Sequence, residues 1–116
     1  MVCDLLWTNP TPTSGFPKQT ISLDLNDYDS VAIVAQSSKT GLKTTSEIKS
    51  ISIIKVGSAG ALVTPSDRNA TSGGTLRYYA VTTNGVECRQ CPSGEDYSIP
   101  MYIYGYKNNP AIENWY

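Results

Sequence analysis

The chain predicts an all-β protein, an antiparallel β-sandwich of jelly-roll-like topology. Three observations lead there. Apolar and polar residues alternate with period two over short runs, as where Ile21, Leu23 and Leu25 are set against Ser22 and Asp24. Turn signals rich in Gly, Pro, Asn and Asp recur between those runs. No long window keeps a helical period, and Thr, Ser, Tyr and Ile outweigh the good helix formers. The 116 residues suit one domain, 1–116, with 108–116 as a polar C-terminal tail. A domain of this size buries roughly 60–70% of the surface its unfolded chain exposes, so it folds without covalent staples.

Residues 4–7 read as a first strand, and 8–17 as a loop because Pro10, Pro12, Pro17 and Gly15 break pairing. Phe16, the only phenylalanine, is expected to plug one end of the core. Residues 19–25 form the next strand, and Asn26, Asp27 and Asp29 form the turn after it. Residues 30–36 are apolar on both faces, which marks a central strand covered from both sides. Residues 37–45 are a polar loop. Residues 46–56 are a strand with a patterning defect: Ile51 and Ile53 share one face, Ile54 and Val56 the other. Either it is buried on both faces near its end, or it carries a β-bulge.

Gly57 and Gly60 bracket a turn, 61–63 is a short strand, and 64–74 is the most polar loop. Asn84-Gly85, between β-branched and aromatic runs, predicts a type I′ hairpin with Thr83 opposite Val86 and Val81 opposite Cys88. Tyr79, Val81, Val86 and Cys88 then share the buried face, while Tyr78, Ala80, Glu87, Arg89 and Cys91 share the other. Residues 92–100 are a loop. In the last strand, 101–107, Met101 and Ile103 point one way and Tyr102, Tyr104 and Tyr106 the other. This strand is expected inside a sheet beside residues 19–25.

Composition narrows the chemistry. The net charge is −1 with the charges interspersed, so the basic stripe that drives nucleic-acid binding is missing. No run approaches the ~20 apolar residues of a membrane helix, so no membrane insertion is expected. The opening MVCDLLWTNP has no basic segment followed by a long apolar one, so no signal peptide is expected. There is no histidine, which removes the commonest general base and transition-metal ligand together. Cys88 and Cys91 form a C-x-x-C, but no second such pair completes a zinc site, and on one strand they point to opposite faces. Only a turn at Arg89-Gln90 would bring them together. Asp27 with Asp29 and Glu95 with Asp96 are carboxylate pairs of the kind glycosidases use, and the 26–29 turn offers oxygens to a calcium ion, but turn chemistry already explains the first pair. Asn69-Ala70-Thr71 matches a glycosylation sequon. No cofactor or metal is expected.

The eight tyrosines and two tryptophans carry the functional content, since each has an apolar body and a polar tip. The stripe Tyr102, Tyr104, Tyr106 suits a packing face against another subunit or a ligand platform. A solvent-edge core face accounts for it equally. With Asp67, Arg68 and Asn69 of the 64–74 loop, these are the candidate ligand-binding residues.

Two segments carry a resemblance. Leu6-Trp7-Thr8-Asn9-Pro10-Thr11-Pro12-Thr13-Ser14, then Phe16, Gln19-Thr20-Ile21-Ser22-Leu23-Asp24-Leu25 and Asp27-Tyr28-Asp29, resemble the C-terminal domains of minor structural, tail-fibre-like proteins of tailed phages and prophages. Ile99-Pro100-Met101-Tyr102-Ile103-Tyr104-Gly105-Tyr106-Lys107 resembles the closing motif of the same domains. The segments cover about the first third of the chain and a short piece near its end. They are turns and core strands, so no catalytic residue is carried over. The resemblance implies a non-enzymatic virion domain at a phage tail or capsid surface. It implies a homo-oligomer, a trimer being favoured, that contacts a host-surface glycan or protein. A purely structural capsid-decoration or fibre module is the alternative, and a small carbohydrate hydrolase or esterase the third reading. Chelation is expected to leave the melting temperature unchanged; a large fall would direct attention to Asp27 and Asp29.

Overall fold

The computed structural model describes residues 2–38, 49–65, 74–92, 94–95 and 97–107. These form strands β1 (Val2–Thr8), β2 (Gln19–Ser22), β3 (Ser30–Ser38), β4 (Lys49–Lys55), β5 (Ala59–Pro65), β6 (Gly74–Thr82), β7 (Gly85–Cys88) and β8 (Tyr97–Lys107). Two antiparallel four-stranded sheets result, in the orders β1-β8-β3-β4 and β2-β7-β6-β5. They pack face to face as a β-sandwich. β1 nests with β8 and β2 with β7, while β3–β4 and β5–β6–β7 run as successive hairpins.

β3 is the central strand that its two apolar faces require. Val31, Ile33 and Ala35 point into the sandwich and are fully buried against Tyr79, Val81, Val86 and Leu62 of the other sheet. Burying each such Val or Ile contributes about 1.5–3 kcal/mol. Its other face, Ala32, Val34 and Gln36, is also buried. Ala32 lies in register between Tyr104 and Ile53, and Val34 between Tyr102 and Ile51, so larger neighbours shadow them. Gln36 Nε2 donates to Pro12 O at 2.9 Å, which ties the proline-rich loop to that face. Phe16 is buried in the core cluster, as its place in the sequence predicts.

Several expectations change. β8 lies inside a sheet, but between β1 and β3 and not beside residues 19–25. The reason is length: β2 has four residues and matches β7, whereas the eleven of β8 can flank the nine of β3. β2 ends at Ser22. Leu23 N and Leu25 N then donate to Asn84 O and Thr83 O, so the chain runs past the β6–β7 turn before crossing to the other sheet. β8 begins at Tyr97, so Ser98 and Pro100, assigned to a loop, are buried strand residues. Gly60 lies within β5, and only Gly57, at φ 94°, belongs to the preceding turn.

The β6–β7 turn also differs. Thr82 pairs with Gly85 and Val81 with Val86, so Thr83-Asn84 is the two-residue loop. Asn84 does not have positive φ, and Gly85 does, at 148°, as the first residue of β7. The turn is therefore not type I′. The slip is two residues, which preserves parity, so Tyr79, Val81, Val86 and Cys88 still share the buried face.

Gly85→Val is expected to be among the most damaging changes outside the core. Any Cβ there would strike the Ile21 carbonyl oxygen and come within 3.0 Å of Leu23 N, in a backbone region that β-branched residues resist. Gly105→Ala is expected to cost about 1–3 kcal/mol, because its Cβ would lie 2.6 Å from Tyr28 Cδ1 and 2.7 Å from Leu6 Cδ1. Thermal melts check both, and an unchanged midpoint in either variant contradicts the packing described.

Candidate functional site

The outward stripe predicted for β8 is present, and strand register extends it across the sheet. Leu5, Tyr104, Ala32 and Ile53 align in one row over β1, β8, β3 and β4. Thr8, Tyr102, Val34 and Ile51 align in the next. Neither row holds a charge. Tyr102 and Tyr104 lie with ring centroids 6.4 Å apart, tilted by 47°. The third row, Cys3, Tyr106, Ser30 and Lys55, forms a polar margin. There a hydrogen bond with Cys3 is the main cause raising the Tyr106 phenol above its ordinary range.

β4 gives this face its character. Its register with β3 is regular, without a bulge, and it is not buried on both faces. Ile54 fills the core, and the same alternation turns Ser50 and Ser52 inward and Ile51 and Ile53 outward, each of the last two 65% exposed. Ser52 Oγ reaches Ala61 O at 3.4 Å, bridging to the edge of the other sheet. Leu5 adds a third exposed apolar side chain, at 54%. The defect in the 46–56 pattern is therefore an apolar outer face on an edge strand.

The opposite feature lies inside. Arg77 is fully buried on the inward face of β6. Its Nε donates to Ser98 O (2.9 Å), one terminal nitrogen to Arg89 O (2.8 Å) and the other to Tyr97 O (3.1 Å). The guanidinium carbon sits 5.3 Å from the Phe16 ring centroid. Phe16 meets Trp7 edge-on at 6.1 Å. Arg77 thus links β6 to the start of β8 in the other sheet. Sequence reasoning passed over it, although it stands two and four residues before Tyr79 and Val81, on the face predicted to be buried.

Beside it lie both cysteines of the C-x-x-C. β7 ends at Cys88, and Arg89 and Gln90 leave the strand, so Cys91 is buried and does not share the outer face with Arg89. Both thiols are free. Burial pushes the Cys88 thiol up to about 12 and raises the neighbouring Tyr79 phenol as well. Tyr79 Oη and Ser98 Oγ are buried without a hydrogen-bond partner. Ser98 takes φ 50°, an uncommon conformation for a side-chain-bearing residue.

The structure brings Tyr102, Tyr104 and Tyr106 onto one face. Asp67, Arg68 and Asn69, the sequon Asn69-Ala70-Thr71, Asp96 and the 108–116 tail lie outside the described residues, as do 39–48 of the loop after β3. Asp27 is exposed in its turn, and Glu95 contributes its backbone carbonyl, which accepts from Phe16 N at 2.8 Å. Among the described residues no three His, Cys, Asp or Glu side chains group as metal ligands would. No family model matches the chain, and no curated protein or solved structure is significantly similar to it.

The thiol environment gives a pH prediction. The folded state holds the Cys88 proton above the ordinary value of 9.0, so the unfolded state loses it first. Stability owed to this group is therefore present below about pH 9 and is lost between pH 9 and about pH 12, by up to about 1.4 kcal/mol per pH unit. Urea melts across this range measure it. Maleimide at neutral pH is expected to label exposed Cys3 in the native protein, and Cys88 and Cys91 only after unfolding.

Proposed function

We propose that this chain is a non-enzymatic, self-associating β-sandwich module. We assign it to a phage virion, as a tail-fibre or tip domain that contacts a glycan or protein on the host surface. The observation that carries self-association is the outward placement of Ile51 and Ile53 on a strand whose serines point inward. A one-residue slip would bury both isoleucines but drive Ile54 out of the core. The exposed pair is thus kept apolar on a face where polar residues would cost nothing in folding.

The two apolar rows measure roughly 260 Å² from strand spacing and residue rise, and roughly 390 Å² with the polar margin. The apolar part is about a third of what each partner gives to a standard interface, so the margin and its surroundings must supply the rest. It suits the apolar centre of an interface whose margin is the Cys3, Tyr106, Ser30 and Lys55 row. A trimer is the arrangement favoured by the resemblance to fibre-like proteins.

The phage assignment rests on the two segments quoted above, and their placement supports reading them as one unit. Asn9 Nδ2 donates to Pro100 O at 2.9 Å, Asn9 N to Met101 O at 2.8 Å, and Asp29 N to Tyr106 O at 2.8 Å. The purely structural alternative uses the same face and lacks only the host contact. Labelled protein incubated with host cells separates the two.

Light scattering coupled to size exclusion is expected to give an oligomer for the parent chain. The Ile51→Asp/Ile53→Asp variant is expected to give a monomer with its sandwich intact by circular dichroism. A monomeric parent at micromolar concentration would sink the self-association.

A further inference from the structure

A second surface, on the opposite side from β4, has the chemistry of a ligand site. The short connection from β4 to β5 places those two edge strands side by side, so β1 and β2 flank the other margin of the sandwich. Between them, floored by the proline-rich loop, is a cleft of about 430 Å³, within the range of small-ligand sites.

A β-bulge aims the principal side chain into this cleft. Leu5 pairs with Tyr104 on the outer face, and Trp7 pairs with Ile103 on the inner one, so Leu6 is an extra residue. Without it, alternation would put Trp7 outside with Leu5. As it stands, the indole is half-buried at the lip of the cleft. Phe16 holds it edge-on without stacking over it, at an interplanar angle of 73°. Arg77, over Phe16, holds Phe16 in turn.

The rest of the lining is uncharged and mixed, with Phe16, Ile21, Pro10 and Pro17 beside polar residues. Thr11 and Gln19 contribute a hydroxyl and an amide, while strand alternation sends the Thr20 and Ser22 side chains to the outer face beside Glu87; among the described residues no charged side chain lines the cleft. Thr11 is fixed by Asn9 Oδ1, which accepts from its backbone N–H at 2.8 Å. Gln19 Nε2 donates to Pro17 O at 3.2 Å, which orients the amide and leaves its oxygen available. Among the described residues β2 pairs only with β7, which leaves its other backbone edge without a strand partner there.

The geometry points to a binding site for a neutral saccharide in the cleft between β1 and β2, with Trp7 as the platform and Gln19 and Thr11 as hydrogen-bonding partners. A sugar ring offers an apolar C–H face and a polar hydroxyl edge, which matches one aromatic surface among neutral donors and acceptors. A nucleotide or an acidic sugar would need cations that the lining lacks. A peptide adding to β2 as a strand would find four residues of edge beside a loop carrying three prolines. The assignment rests on the host-binding part of the reading above, and not on self-association.

The test is an NMR titration of the ¹⁵N-labelled full chain with maltotriose, cellotriose and chitotriose, with trigalacturonate as the charged control. At least one neutral trisaccharide is expected to shift the Trp7 indole N–H and the Gln19 and Thr11 amides, with millimolar affinity. Gln19→Ala and Thr11→Ala, both at exposed positions, are expected to keep the melting temperature and to weaken that binding about 3–10-fold. The site is overturned by any of three results: no neutral sugar moves Trp7, trigalacturonate moves the same signals equally, or both variants bind as the parent does. Cell binding without a Trp7 shift removes this cleft and leaves the host-binding reading. A Trp7 shift without cell binding does the reverse.

Discussion

A guanidinium buried among backbone carbonyls is the constraint on which most of this structure leans. Arg77 starts on β6, in one sheet, and its donors end on Tyr97 and Ser98 of β8, in the other. A third donor holds Arg89, where β7 gives way to the bend that carries Cys91 inward. A cation this deep is tolerated because its donors are engaged by charge-assisted hydrogen bonds and an aromatic face lies over it. The carbonyls it engages are polar groups that burial would otherwise leave short of partners. From Arg77 the contacts continue outward through Phe16 to Trp7, so the loop after β1 is positioned by a residue far from it in sequence.

The two surfaces discussed above sit on opposite sides of the same sheet plane and differ in kind. The apolar face is flat, and its residues come from the regular alternation of β1, β8, β3 and β4. The cleft depends on an irregularity, the bulge at Leu6, and on a loop stitched down by Asn9 and Gln36. A flat face suits another flat face, whereas a recess walled by Trp7 and Phe16 suits something small. Each is consistent with a module that is held by neighbours on one side and open on another.

Much of this was legible in the sequence, and the failures have causes. Alternation alone identified the central strand, the buried set Tyr79, Val81, Val86 and Cys88, and the outward tyrosines, because side-chain parity survives errors in where strands end. It could not identify partners. Which strand flanks β3 depends on matching lengths across the sheet, and the length of β8 was underestimated because Ser98 and Pro100 look like loop residues. Asn84-Gly85 carried a strong turn signal, but backbone contacts of Gly85 with residues 21–23 decide the geometry there. Arg77 was passed over because a charge is read as solvent-facing unless its face is followed strictly. The outward isoleucines were noticed as a defect, and only the regular β3–β4 register shows which way they point. The cleft was illegible, since a bulge leaves no mark in a run such as Leu5-Leu6-Trp7.

The pairing of β1 with β8 joins Val2 to Lys107, and β8 is also the strand that separates β1 from β3. One sheet therefore cannot close until nearly all of the described chain has emerged from the ribosome. Until then β3 presents an open edge and β1 has no neighbour, while the β5–β6–β7 hairpins can already form from local contacts. Loop-closure entropy makes such a late, long-range step slow. An unfinished sheet with a free β3 edge is the species in which chains would pair wrongly with one another. The same nesting that seals the finished sandwich thus makes the closing of this sheet a late event, reached only once β8 can join β1 and β3.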